Sequence, residues 1–532
     1  MGGRWTMRGL ALAAGLALAT GAAGQGYKVD VLVPGSAFHG VHGIRMSPAG
    51  DLYAGSVAGQ SLYVVDTAKG TARIAVGPPP GMADDIAFGP GGQIAWTAIS
   101  SGVVYTRRGE GPVEVLAKIV SVNSIAFSRD GKRLFAAQVF GGDDLFELDP
   151  AGVKPPRRIR EKMGGFNSFS PGPDGWLYGP LWFRGQVAKV NPDTGELVVV
   201  AQGLKTPAAA KFDSKDNLYV LDTATGELIR VDIKTGGKVR AAQLSPSLDN
   251  LTIDGRDRIF VSNMADNGIQ EVDGKTGRVR QVIKGKLAFP VDIALAAEGG
   301  RETIYVADTF ALRAVDAKSG AVRDLARSHA AGTKISYPAA IGVGPNHVAV
   351  GGGSEVQLFD RKTGGYVRTV KGFRVLTDVL ELADGSLLVA SASGKLERVV
   401  GEDRKTVTDG LSGPVGLAVG PDRSVYVSEA VAGRVSRVDL TSGARTTVAE
   451  GLQKPKGVAV APDGRVVVLE VGARQVTALD PKTGAKTVLA ANLPVGLIER
   501  GGPSAGGVAV GASGVVYVSS DVENAIYRLT PR

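Results

Sequence analysis

Apolar positions along this chain come in short runs, continuous or alternating with polar ones and rich in Val, Ile and Tyr, and between the runs lie Asp-Gly, Thr-Gly and Pro-Asp turns. That is the patterning of β-meanders, not of amphipathic helices. One unit recurs about every 41 to 44 residues, the period of a four-stranded propeller blade. Its clearest copy runs Gly413-Pro414-Val415-Gly416-Leu417-Ala418-Val419, the turn Gly420-Pro421-Asp422-Arg423, Ser424-Val425-Tyr426-Val427-Ser428-Glu429, then Arg434-Val435-Ser436-Arg437-Val438-Asp439 and Ala444-Arg445-Thr446-Thr447-Val448-Ala449. These are four strands, a to d. The turn before strand d opens on Asp66, Asp149, Asn191, Asp232, Asp273, Asp316, Asp360, Asp439 and Asp480 in nine of the copies. Twelve repeats can be counted.

The chain ends after the third strand of the twelfth repeat, Ala525-Ile526-Tyr527-Arg528-Leu529, and begins with an orphan strand, Tyr27-Lys28-Val29-Asp30-Val31-Leu32-Val33. Propellers close by pairing strands from opposite ends within one blade, because an unpaired edge invites aggregation. The pattern predicts an all-β chain of two tandem six-bladed β-propellers, over 25–277 and 278–532. In this scheme the orphan strand completes the sixth repeat and the strand from Arg278 to Lys284 completes the twelfth. A single twelve-bladed ring would leave a wide channel that side chains cannot fill.

Composition places the chain in a compartment. Arg4 and Arg8 precede a small-apolar stretch from Leu10 to about Ala19, followed by Thr20-Gly21-Ala22-Ala23-Gly24. This reads as a signal peptide over 1–24, and export to the periplasm or medium is expected. No later stretch reaches the roughly 18 to 20 apolar residues of a transmembrane helix. The absence of cysteine excludes disulfides, thiolate zinc sites, thiol nucleophiles and a lipid-modified cysteine. The net charge of +9 is spread over outer strands such as Lys238-Val239-Arg240 and Arg278-Val279-Arg280. A spread excess protects edges and solubility, and nucleic acid is not an expected partner.

In a propeller the residue just before each a-strand core points into one shared ring at the channel mouth. In the first six repeats it is His42, Asp84, Asn123, Asn167, Ala208 and Asp249, followed by Gly43, Asp85, Ser124, Ser168, Ala209 and Asn250. In the second six the same pairs begin with Val291, Ala339, Thr377, Val415, Lys456 and Gly506 and contain two acids, Asp292 and Asp378. Two readings of the first ring are open. A hard cation with oxygen ligands would neutralise its carboxylates, or the ring hydrogen-bonds to channel water and backbone with no ion. In the first reading Asp84, Asn123, Asn167, Asp249 and Asn250 form the ligand set. The b–c loops on the same face carry Phe140, Trp182, Phe183, Arg184 and Asn263, a candidate wall for a substrate.

The repeat resembles the NHL-repeat, gluconolactonase and paraoxonase group of six-bladed propellers. Val122-Asn123 and Phe166-Asn167 look like that group's amide ligands, Leu248-Asp249-Asn250-Leu251 like its Asp-Asn pair, and Val41-His42-Gly43-Ile44 like a His-Gly-Ile segment that carries an active-site histidine. The resemblance implies a divalent ion, usually calcium, and hydrolysis of a lactone or ester, with His42 or Asp85 as proton acceptor. The chain departs from the group in two places. His42 stands where the group has a glutamate, and Ala208 separates Asn167 from Asp249. Two other classes of function remain: a non-catalytic exported binding or scaffold protein, and a lyase of the streptogramin-ring-opening kind. The second propeller is expected to be structural or to bind a protein partner.

Overall fold

The computed structural model describes residues 26–335, 337–497 and 505–532, so the leader expected over 1–24 lies outside the described residues. The described chain forms twelve four-stranded antiparallel sheets. Among the described residues the one helical element is a 3-10 turn at Pro90–Gly92, and no helix is long and apolar enough to cross a membrane.

Burial follows strand position within each blade. Second strands such as Leu177–Leu181 and Val425–Glu429 are buried along their whole length, because neighbouring blades cover both faces. Fourth strands such as Lys238–Gln243 and Arg445–Ala449 are mostly exposed and carry the charge. The aspartates that open the c–d turns are turn caps. Asp273 Oδ1 accepts from the Lys275 and Thr276 amides at 2.9 and 3.1 Å, and Gly277 leaves the turn at φ +71°.

The sheets close into two six-membered rings. Blade 1 (41–76) meets blade 6 (248–283) through a core that joins Phe38, Val41 and Ile44 to Phe260 and Ile269, and Ser262 Oγ donates to the His42 carbonyl at 2.6 Å. Blade 7 (290–327) meets blade 12 through Ile293, Ile304, Ala509 and Tyr517.

Ring closure differs from the expected scheme. The N-terminal strand Tyr27–Val33 pairs with Ala525–Pro531 in the twelfth blade, while Val279–Ile283 stays in the sixth, beside Gly268–Val272. The boundary expected at 277/278 therefore moves. Residues 41–283 hold a complete six-bladed ring, and the second ring is 290–531 plus 27–33. The physical reason is local: the Asp273 turn is a tight hairpin that closes at small entropic cost, so its fourth strand stays with its own blade.

The two rings are joined tightly. Asn267 donates from Nδ2 to the Leu287 carbonyl at 3.1 Å and accepts from the Gly40 and Val41 amides. Arg327 reaches Asp266 at 2.7 Å and Arg313 meets Asp308 at 2.5 Å and also the Ala265 carbonyl. His39 sits in this junction with Nε2 3.0 Å from the Val522 carbonyl. Met264 and Ala265 pack on Ala288, Phe310 and Ala311 in one apolar cluster. The junction lies on the face of the first ring that carries the b–c loops.

Candidate functional site

At the start of the innermost strands the first ring has two tiers. The lower tier holds the blades together. Asp85 accepts from its own blade at Ile86 N (2.9 Å), from the next blade at Ile125 N (3.3 Å), and from Asn250 Nδ2 at 3.1 Å. Asp292 does the same with Ile293 N and Ile341 N, and Asp378 with Val379 N and Leu417 N. The recurrence in both propellers marks this aspartate as a staple between blades. Its oxygens are spent on amides, so Asp85 is not placed as the proton acceptor expected from the sequence. Asn250 shares the tier: Oδ1 accepts from Leu251 N and Ser168 Oγ, and the side chain is buried beneath the mouth. It is a link in the tier and not a ligand facing the cavity.

Below lie two cations. Lys211 Nζ donates to the Ser168 and Phe169 carbonyls and to Ser168 Oγ, and burial lowers its pKa to about 7. Arg45 feels the Asp85 charge from the same side. At both bases burial lowers the pKa and the Asp85 charge opposes it, which keeps some positive charge beside the lower tier.

The upper tier has no such balance. His42, Asp84, Asn123, Asn167 and Asp249 line a cavity of about 270 Å³. Asp84 accepts from Asn123 Nδ2, Ser124 Oγ donates to the Asn123 and Asn167 side-chain oxygens at 2.9 and 3.0 Å, and Asn167 Oδ1 also takes the Ser168 amide. Asp249 has no hydrogen-bond partner among the described residues. Burial, and then the nearby Asp85 charge, raise its carboxyl to about 7. Burial and the charges of Asp249 and Asp85 hold Asp84 well above the usual carboxylate range. Two carboxylates thus converge on one cavity with no cationic side chain beside them among the described residues, a costly arrangement unless protons or a cation supply the charge. Among the described residues no three His, Cys, Asp or Glu side chains gather closely enough to hold a metal by themselves. A cation at this mouth would need, beside Asp84 and Asp249, the amide oxygens of Asn123 and Asn167, which the Ser124 hydroxyl and the Ser168 amide engage and would have to share or release. That mixed carboxylate and amide set fits a hard ion such as calcium.

His42 Nδ1 lies 3.0 Å from the Gly40 carbonyl, which can only accept, so the proton sits on Nδ1 and Nε2 keeps its lone pair. Burial lowers the imidazole to about 4. It is neutral at pH 7, and a weaker base than an imidazole in water.

Phe140 and Trp182 line the cavity. Phe183 is 57% exposed and reaches the wall only through Phe140. Arg184 turns away to donate to the Lys162 carbonyl. Asn263 is fully buried in its own loop, donating to the Ser245 and Pro246 carbonyls and accepting from Asp266 N, so it is a loop brace and not a substrate contact. The lining also holds Met264 of the Asn263 loop and residues that were not foreseen: Val57, Ala58 and Ile99 from the first propeller, and Thr309, Phe310, His329 and Tyr337 from the second. His329, which carried no role in the sequence, is 3.0 Å from the Tyr337 hydroxyl through Nε2. His347 instead bonds Glu381 at 2.7 Å, away from this site.

The second channel pairs its acids differently. Lys456 offsets the burial that raises Asp292, and Asp378 is raised by burial and by Asp292. Both acids also take two backbone amides each, so this ring is self-compensated.

The linkage of Asp249 makes a pH prediction. Its folded pKa of about 7 exceeds its ordinary value of about 4, so below pH 4 its contribution is fully present, and stability falls as pH rises from 4 to 7, by at most about 1.4 kcal/mol per unit. Chelator-treated protein should therefore lose melting temperature between pH 4 and pH 7 more steeply than its Asp249→Asn variant. Equal slopes in calorimetry would assign the trend to other groups.

The fold and site define a tandem six-bladed β-propeller protein with a ligand-sized cavity at the mouth of one ring. A family model described as outer membrane protein assembly factor BamB matches residues 184–448, just under half of the chain. The match begins in the first ring and ends in the second, so it supports the β-propeller superfamily and not the NHL-repeat or gluconolactonase group specifically. Among solved structures, a selenomethionine-substituted virginiamycin B lyase from Staphylococcus aureus is 14% identical, covering 61% of this chain and 95% of its own, at a TM-score of 0.26. A streptogramin B lyase gives 14%, 61%, 93% and 0.26. Likenesses at that level carry no argument about activity. No curated protein matches the sequence.

Proposed function

We propose that the chain is an exported, divalent-cation-dependent hydrolase of small lactones or esters, with calcium the expected ion and its site at the mouth of the first propeller. The observation that carries this reading is the convergence of Asp84 and Asp249 on the cavity, Asp249 without a hydrogen-bond donor. The likeness of the segments around Asn123, Asn167, Asp249 and His42 to the gluconolactonase and paraoxonase group supports it. Asp84, Asp249, Asn123 and Asn167 would hold the ion. A bound divalent ion supplies a Lewis acid for the substrate carbonyl and for the charge that develops on its oxygen. His42 accepts a proton from the attacking water at Nε2, the nitrogen that the Gly40 contact leaves free. Phe140 and Trp182 exclude bulk water from one side.

The low basicity of His42 favours a second reading, capture of a ligand without turnover. A hydrolysis screen over lactones and esters, with and without calcium, separates the two. Under the hydrolase reading His42→Gln lowers kcat at least about a hundredfold, while calcium-dependent stabilisation persists. A wild-type protein inert towards every lactone and ester tried, yet stabilised by calcium, would leave the binding reading in front.

A further inference from the structure

Six aromatic rings line the cavity, and they touch edge to face in an unbroken chain. Phe140 meets Trp182 at 5.5 Å between centroids, Trp182 meets His329 at 5.5 Å, and His329 meets Tyr337 at 5.2 Å. Tyr337 meets Phe310 at 5.9 Å and Phe310 meets His42 at 5.3 Å, which returns the chain to the polar ring. Phe140, Trp182 and His42 belong to the first propeller, whereas Phe310, His329 and Tyr337 belong to the second.

Folding alone does not account for this girdle. Phe140 and Tyr337 are 52% and 45% exposed, so neither gains the full burial an aromatic ring can offer. Phe140, His329 and Tyr337 also have left-handed backbone, at φ +69°, +61° and +44°. Bulky side chains rarely adopt that conformation, which costs on the order of 1 kcal/mol or more per residue and gathers at ligand sites. The polar tips of the roof are turned on each other, since the Tyr337 hydroxyl and His329 Nε2 form one hydrogen bond. The second propeller therefore presents ring surface to the cavity, opposite the polar floor.

We infer that the second propeller is the other half of the ligand site: Phe310, His329 and Tyr337 select a ligand whose non-reacting end is uncharged, apolar and about the size of one ring. This rests on the hydrolase reading for the reacting end only. The cavity of about 270 Å³ admits a compact group. The tight junction between the rings then has a function, because it fixes the roof over the floor.

The test uses the full chain and two lactones with the same reacting group, γ-butyrolactone and its γ-phenyl derivative, together with the corresponding phenyl lactam as a non-hydrolysed probe for calorimetric binding. Tyr337→Ala should lower kcat/KM for the phenyl lactone at least tenfold more than for γ-butyrolactone and weaken lactam binding at least fivefold. Tyr337→Phe, which keeps the ring, should restore both. Equal losses on the two lactones, or lactam binding unchanged in Tyr337→Ala, would overturn the inference. Wild-type protein that hydrolyses neither lactone but binds the lactam through Tyr337 would end the hydrolase reading and leave the composite site standing. Failure of wild-type protein to bind the lactam would end the composite site.

Discussion

Deleting residues 27–33 is expected to open the second propeller and leave the first one closed. The strand pairs with the C-terminal strand from Tyr27 opposite Pro531 to Val33 opposite Ile526, and it places Leu32 and Val33 in a core with Ile293, Ile304 and Ile526. Two aliphatic side chains buried this deeply contribute roughly 1.5–3 kcal/mol each, and the lost ladder exposes a sheet edge as well. A loss of about 5 kcal/mol or more would remove most of the stability of an ordinary domain. Hydrogen exchange should show protection lost in Val516–Ser520 and Ala525–Pro531 while Val41–Met46 and Leu248–Ile253 keep theirs. Added peptide spanning 27–33 should restore it. Loss of protection in Gly268–Val272 with the twelfth blade unchanged would instead support closure of the first ring by this strand.

The sequence could have decided that point. The repeat count, the four-strand blade and the two rings were legible because strand, turn and period all recur, and the fold has them all. The closure was misread because two fourth strands of the same character, Tyr27–Val33 and Val279–Ile283, can be exchanged without altering the period. The deciding signal was the turn Asp273-Gly274-Lys275-Thr276-Gly277, which repeats the c–d hairpin of other blades and keeps Val279–Ile283 in the sixth.

The site was legible to the extent that it follows strand position. His42, Asp84, Asn123, Asn167 and Asp249 share a repeat position and share a cavity. Asp85 and Asn250 lie one residue further along each strand, where the pleat turns side chains into the tier of staples. Position alone did not separate an acid that faces the mouth from one that holds blades together. Phe310, His329 and Tyr337 could not be read at all, since their place depends on how one ring is set against the other, and the repeat carries no signal for that.

Asp84 and Asp249 share one cavity with no cationic side chain beside them among the described residues, and a bound divalent ion is proposed to supply that charge. The most direct measurement is thermal unfolding of chelator-treated wild-type protein and Asp249→Asn at pH 7.5, with and without calcium. The variant removes one charge and keeps the shape of the side chain. Without calcium it should melt higher than wild type, because a partly buried charge crowded by Asp84 and Asp85 is gone. With calcium a hundredfold above its Kd, wild type should gain about 2.7 kcal/mol, or about 5–10 °C for a ring of this size, and the variant little. A wild-type protein indifferent to calcium, magnesium and manganese, or a variant that gains as much as wild type, would contradict a cation site at this mouth.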